Sequence, residues 1–187
     1  MLREAGVTSA LLHGGTSSVH AIGRPEEGDA WKVAIEKPGS SPTSQSDLAA
    51  ARGQSSLFSP HLPQKKCSTD PAPPSESRPV LLATVPLKDE AMSVSGIQGK
   101  FFQAGGKTFG HILDPRTGQP ASTAVLAAVV LPSATETDAL STALLTLGPD
   151  GHEKIANLRP GIRTVVASES GGRLHVEARN IMVEPRV

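Results

Sequence analysis

Neither sign of charge prevails in this chain: eighteen Lys and Arg residues are matched by eighteen Asp and Glu, for a formal net charge of +0 at pH 7. Such a balance implies no nucleic-acid partner and no anionic membrane surface. Long apolar runs are missing too, none approaching the roughly 20 residues of a spanning helix. No signal-peptide pattern opens the sequence as written. Cysteine is nearly absent. Cys67 is the only one, which excludes an internal disulfide, and with no Cys or spaced His around it, it indicates neither a metal site nor a redox compartment. What is present is 187 residues, enough for one domain with a real core.

Two stretches concentrate the chemistry. The first is His111-Ile112-Leu113-Asp114-Pro115-Arg116-Thr117-Gly118. Lys107 to Leu113 reads as a strand, which Asp114-Pro115 ends because proline has a fixed φ and no N–H for a ladder. Arg116-Thr117-Gly118 then completes a tight turn. A histidine, a carboxylate, a guanidinium and a hydroxyl thus crowd one strand end, where sites usually lie. The second is Ser133 to Gly148. Ser133-Ala-Thr-Glu136 fits a capping box and Gly148 a glycine stop, so a helix is expected between them. Ala139, Leu140, Ala143, Leu144 and Leu147 form its apolar stripe. Asp138 and Thr142, four residues apart, share another face with Leu145, which suggests that this face is also covered by protein. A carboxylate among buried leucines needs a partner. Mg²⁺ taking oxygen from Asp138 and Thr142 would be one.

The remaining chain divides by composition. In residues 1–38, Met1 to Ala5 reads as the last turn of a helix with Gly6 as its stop, so the chain is expected to begin inside an element whose upstream part is missing. Thr8 to His13 reads as a strand running into Gly14-Gly15-Thr16-Ser17-Ser18, small residues that let backbone N–H groups approach a phosphate. Ala30 to Glu36 is a second strand. Residues 39–78, rich in Ser, Pro, Gln, Gly and Ala, cannot bury enough surface to offset their ordering entropy and are expected to be a disordered insertion. Val80 to Leu87 is an apolar strand, and Lys88 to Val94 a connector leading to Ser95-Gly96. Gly99 to Gln103 and Lys107 to Leu113 should form a hairpin. After strand Ala124 to Leu131 and the capped helix come a helix over Asp150 to Leu158 and a hairpin over Arg163 to Ser168 and Gly172 to Ala178. Strands and helices without strict alternation argue an α+β fold. His13, His20, His61, His152 and His175 lack metal-ligand spacing and are expected on the surface or in loops.

His111-x-x-Asp114-Pro115-x-Thr117-Gly118, then Asp138-Ala-Leu-Ser-Thr142-Ala, with Ser95-Gly96, Lys100-Phe101-Phe102 and Gly14-Gly15 upstream, occur in the order seen in one family. On these motifs the chain resembles the FAD:protein FMN transferases (ApbE-like proteins) over residues 1–38 and from about 80 to 178. The resemblance implies a single α+β domain, made here of 1–38 and 79–187 and lacking the family's N-terminal part. It implies transfer of the FMN half of FAD onto a Ser or Thr hydroxyl of an acceptor flavoprotein, with release of AMP and dependence on Mg²⁺. Asp138 and Thr142 would be the metal ligands. Gly14, Gly15, Thr16, Ser95, Gly96, Lys100, His111 and Thr117 would contact the flavin nucleotide, although many relatives carry Asp or Asn where Thr16 stands. His111 or Asp114 would assist removal of the hydroxyl proton. The alternatives are hydrolysis of FAD to FMN and AMP, or a nucleotide-binding remnant without activity. Relatives are often exported to the cell envelope, and the compartment of this chain stays open.

Overall fold

Strand Leu126–Leu131 is buried along its whole length, and the rest of the molecule is layered on its two faces. The computed structural model describes residues 2–15, 17–38, 80–97, 101–104 and 107–184. In chain order the elements are β1 (Ala10–Gly14), β2 (Ser18–Ile22), β3 (Trp31–Glu36), β4 (Leu81–Leu87), β5 (Ala91–Gly96), β6 (Phe101–Ala104), β7 (Lys107–Gly110), β8 (Leu113–Asp114), β9 (Gln119–Pro120), β10 (Leu126–Leu131), α1 (Ala134–Leu147), a 3-10 turn (Pro149–Gly151), α2 (His152–Ala156), β11 (Arg163–Ser170) and β12 (Arg173–Arg179). One sheet runs β1-β2-β5-β10-β11-β12, antiparallel throughout. β3–β4, β6–β7 and β8–β9 are separate two-stranded pairs.

Successive strand residues point to opposite faces, and β10 uses both. Leu126, Ala128 and Val130 enter one core with Ile35, Leu82, Val85 and Leu87 of β3 and β4. Ala127, Val129 and Leu131 enter the other with Leu144 and Leu145 of α1 and Ile155 of α2. The fold is therefore α+β: a β-hairpin, a six-stranded sheet and a helical layer. Each fully buried Leu, Ile or Val contributes about 1.5–3 kcal/mol of transfer energy, so β10 needs both covers.

Several expectations hold and several need correction. The turn over 2–6 closes as a helix end does, with Val7 N–H bonded to Leu2 O, Gly6 N–H to Arg3 O and Gly6 at φ 86°, the Schellman pattern. The insertion read over 39–78 lies outside the described residues. Ser18–Ile22, read in part as loop, is a strand: β1 turns back at Gly15 and pairs Gly14 with Ser18. Residues 91–94, read as connector, begin β5. The segment before them is a tight turn, with Asp89 at φ 56°, its carboxylate accepting from Gly23 N–H at 2.6 Å and pairing with Arg3.

Helix α1 has the predicted ends. Ser133 Oγ accepts from Glu136 N–H at 3.3 Å, but the Glu136 carboxylate turns to Arg159 at 2.8 Å, so only half of the capping box forms. At Gly148, φ is 69° and a Cβ would stand 2.7 Å from Thr123 Cβ, so glycine is required there. The buried face differs from the predicted stripe. Thr137, Ser141, Leu144, Leu145 and Thr146 are buried, whereas Ala139 is exposed. The reason lies in β5: Met92 and Val94 join the hairpin-side core, which leaves Ser93 and Ser95 toward α1. Serines on the sheet turn the helix hydroxyls inward.

Candidate functional site

The Asp114–Gly118 corner is built by main-chain bonds. Thr117 N–H and Gly118 N–H both reach Asp114 O, at 3.2 and 2.8 Å. Thr117 Oγ1 accepts from Gln119 N–H at 3.2 Å. Asp114 is buried and its carboxylate is held three ways: by Arg116 N–H at 2.9 Å, Arg116 Nε at 2.9 Å and Arg116 Nη2 at 2.6 Å. These donors, the guanidinium first, pull the Asp114 carboxyl below the usual carboxylate range and push Arg116 up. Arg116 Nη2 also reaches Thr146 O at 3.3 Å, and Thr123 Oγ1 donates to the same carbonyl at 3.1 Å. The corner is thereby pinned to the C-terminal half of α1. Between Leu113–Arg116 and the Ala139, Thr142, Ala143 and Thr146 side of the helix opens a cleft of about 430 Å³.

Beside this cleft α1, β5 and β2 are joined by hydroxyls. Ser93 Oγ lies 3.0 Å from Ser18 Oγ and 2.8 Å from Thr137 Oγ1. Ser95 Oγ lies 2.9 Å from Ser141 Oγ and 3.1 Å from Thr142 Oγ1. The helix hydroxyls spend their own protons within the helix: Thr137 on Ala134 O, Ser141 and Thr142 on Asp138 O, Thr146 on Thr142 O. Each hydroxyl has one proton and two acceptor lone pairs, so with their protons on helix carbonyls these side chains face the sheet as acceptors; Ser93 donates to Thr137, and Ser95, with a single proton, donates to Ser141 or to Thr142.

Asp138 departs from expectation. Its side chain is exposed, not set among buried leucines; Leu145 is indeed fully buried, but it leans to the sheet while Asp138 stays on the rim. Burial therefore does not explain this carboxylate. Its side-chain contact among the described residues is a long one, Ser18 Oγ at 3.5 Å, and no described cation pairs with it. The donor chemistry suits a hard cation, since Asp138 and Thr142 offer oxygen only. Among the described residues no three His, Cys, Asp or Glu side chains gather to hold a metal by themselves. A cation here would draw on substrate oxygens and water, as Mg²⁺ commonly does.

The other predicted residues are spread around this centre. Gly14 ends β1 beside Ser18 and Gly15, at φ 73°, makes the hairpin turn. Gly96 ends β5 opposite Leu126. Ser95 spends its hydroxyl on α1. His111 is exposed between β7 and β8. Thr16 and Lys100 lie outside the described residues. Sequence reasoning missed Ser18, Ser93, Thr137 and Ser141, although Ser93 and Ser95 stand at strand spacing and Thr137 and Ser141 at helix spacing. It also placed His152 on the surface. His152 is buried, with Nε2 2.8 Å from Thr164 Oγ1 and Nδ1 3.3 Å from Glu177 Oε2.

The ApbE family model matches residues 66–166, more than half of the chain. The chain belongs to the ApbE family. It is 23% identical over 172 residues to the FAD:protein FMN transferase of Escherichia coli K12, a match covering 91% of this chain and 38% of that protein. It is 35% identical over 86 residues to the FAD:protein FMN transferase of Treponema pallidum, covering 46% and 23%. Among solved structures it resembles the flavinyl transferase ApbE of Pseudomonas stutzeri in its apo form, with a TM-score of 0.61, 26% identity, and 96% of this chain covered against 44% of that one. The flavin transferase ApbE of Vibrio cholerae gives the same TM-score at 20% identity and shares the fold. The chain thus spans about two-fifths of the length of the Escherichia coli and Pseudomonas stutzeri proteins. Among the described residues no helix is long and apolar enough to cross a membrane.

Proposed function

We propose that these residues carry the phosphate and metal side of an FMN-transfer site, which passes the FMN half of FAD to a Ser or Thr hydroxyl of an acceptor flavoprotein and releases AMP. The observation that carries this reading is the single cleft in which Thr142 of α1 meets the Asp114–Arg116 corner, with Asp138 one turn back on the same helix. Family membership supplies the reaction class.

In this reading Asp138 would give Mg²⁺ a carboxylate oxygen and Thr142 a hydroxyl lone pair, its proton being directed to Asp138 O. When bound, the cation offsets charge that develops on the phosphate oxygens. The acceptor oxygen bonds to the FMN phosphorus, the bond from that phosphorus to the AMP phosphate oxygen breaks, and AMP leaves with the electron pair. Asp114 is a poor acceptor for the hydroxyl proton, because Arg116 holds it ionised and fills its lone pairs. This reading assigns the proton to His111, which is exposed between β7 and β8. The fixed corner and helix contribute positioning, the main protein contribution to phosphoryl-type transfer.

The test incubates the chain with FAD, Mg²⁺ and an acceptor flavoprotein domain, and follows the acceptor's mass together with AMP. A mass gain of one FMN with one AMP, lost in Asp138→Asn, is expected. FMN and AMP appearing with an unlabelled acceptor would assign hydrolysis instead. Equal labelling by Asp138→Asn would remove Asp138 from the site.

A further inference from the structure

We infer that Ser18 is a positioning residue for the Asp138 carboxylate, acting at the end of a three-hydroxyl chain that runs through Ser93 and Thr137; the inference rests on the metal-binding reading of Asp138 given above. The chain shows four contacts: Ser18 Oγ to Asp138 Oδ1, Ser18 Oγ to Ser93 Oγ, Ser93 Oγ to Thr137 Oγ1, and Thr137 Oγ1 to Ala134 O. Three hydroxyls supply only three protons. Thr137 donates to Ala134 O at 2.8 Å. Ser93 must then donate to Thr137, and Ser18 to Ser93. No proton is left for Asp138, and the Ser18–Asp138 contact is correspondingly the long one at 3.5 Å, against 2.8 to 3.0 Å for the others.

The chain has a second order. If each hydroxyl rotates, Thr137 donates to Ser93, Ser93 to Ser18, and Ser18 to Asp138. That order forfeits the bond to one helix carbonyl and gains a charge-assisted bond to a carboxylate, which is the stronger kind. Ser93 and Thr137 are fully buried, so water does not compete with them for the protons. A carboxylate that holds a cation with one oxygen needs the other fixed, and outer partners of this sort orient metal ligands. In the second order Ser18 fixes Oδ1 and leaves Oδ2 for the cation.

The placement of Ser18 is not incidental. β2 pairs with β5 so that Ser18 stands opposite Ser93, while Val19 and Ala21 pack on the hairpin-side core. Ser18 is therefore held on the helix side of the sheet by apolar neighbours on the other side. The contact spans 120 residues of sequence, and no local turn motif accounts for it.

Mn²⁺ is the probe, titrated in the presence of FAD and followed by the loss of the free-ion EPR signal, for the wild type, Ser18→Ala, Ser18→Thr and Asp138→Asn. Loss of an outer partner typically weakens metal affinity about 10- to 100-fold. Ser18→Ala should weaken Mn²⁺ binding by about tenfold or more, with Ser18→Thr restoring it because threonine keeps the hydroxyl and suits a strand. Thermal unfolding without metal should show Ser18→Ala still cooperatively folded, with only the stability loss that follows from its missing bond to Ser93, which separates positioning from folding. If Asp138→Asn loses Mn²⁺ and Ser18→Ala binds like the wild type, the inference fails while the metal reading stands. If Asp138→Asn binds like the wild type, or the wild type takes no Mn²⁺, the metal reading fails and this inference with it. If Ser18→Thr is as weak as Ser18→Ala, the hydroxyl is not what acts.

Discussion

Arg116 grips the carboxylate of Asp114, two residues before it, with Nε at 2.9 Å and Nη2 at 2.6 Å, and the same guanidinium reaches Thr146 O on α1. One side chain thus closes the corner and ties it to the helix across the cleft. The pair has a pH signature. The folded Asp114 carboxyl titrates below its ordinary 3.8, so the pair's contribution to stability is present above about that pH and is lost as pH falls through the lowered folded value. Wild type and Arg116→Ala should differ in Tm at pH 7 and converge in strong acid. Because Arg116 is 57% exposed, solvent keeps the difference small. An NMR titration of the Asp114 carboxyl carbon provides the check: its midpoint should move up in Arg116→Ala, and an unchanged midpoint would show that the guanidinium does not hold the charge.

The chain leaves β3 and enters β4 at neighbouring points. Lys37 N–H bonds Val80 O at 2.8 Å and Glu36 pairs with Leu81, so β3 and β4 need only a short turn. Replacing residues 38–79 with four Gly and Asn residues shortens the loop about tenfold, worth roughly 2 kcal/mol by a loop cost of about 0.6 kcal/mol per doubling. The shortened protein should unfold at a higher urea concentration. A clear loss of stability would show that the segment packs on the domain.

His152 and Thr164 should be energetically coupled. Thr164 is fully buried and its hydroxyl lies on His152 Nε2 at 2.8 Å. His152→Ala strands that hydroxyl, at a cost of about 1–3 kcal/mol beyond the lost packing. Thr164→Val removes the stranded group, so the double variant should be more stable than the two single losses added together. Urea unfolding of the four proteins measures the cycle, and strict additivity would show that the bond contributes nothing.

Gly148→Ala should be among the more damaging single-methyl changes. The position needs φ 69° and leaves a Cβ 2.7 Å from Thr123 Cβ. With ψ at −162° the residue sits in a region essentially confined to glycine, which costs an alanine roughly 1–3 kcal/mol, and the displaced Thr123 would also disturb its bond to Thr146 O. A Tm within a degree of wild type would show that the helix end relaxes freely.

Local chemistry in the sequence was enough for the punctuation of this fold. Pro115 and Gly118 mark the corner, Ser133 and Gly148 mark the helix, Gly171-Gly172 marks the last hairpin, and the unbroken apolar run 126–131 marks a strand buried on both faces. Each of these depends on residues within one turn of one another. Which face of α1 is buried, and what surrounds Asp138, depends instead on partners far away in the chain. The helix carries apolar side chains on more than one face, so its own sequence leaves the choice open. Ser93 and Ser95 on β5 make that choice, because a buried hydroxyl needs a hydrogen-bond partner; Thr137 and Ser141 are drawn inward to supply one and Asp138 is left on the rim. The same holds for Ser18, brought 3.5 Å from a carboxylate 120 residues away, and for His152, whose partners come from two later strands. Periodicity records how a segment is built, but the pairing of polar groups across the sheet is settled only when burial removes water as the alternative partner.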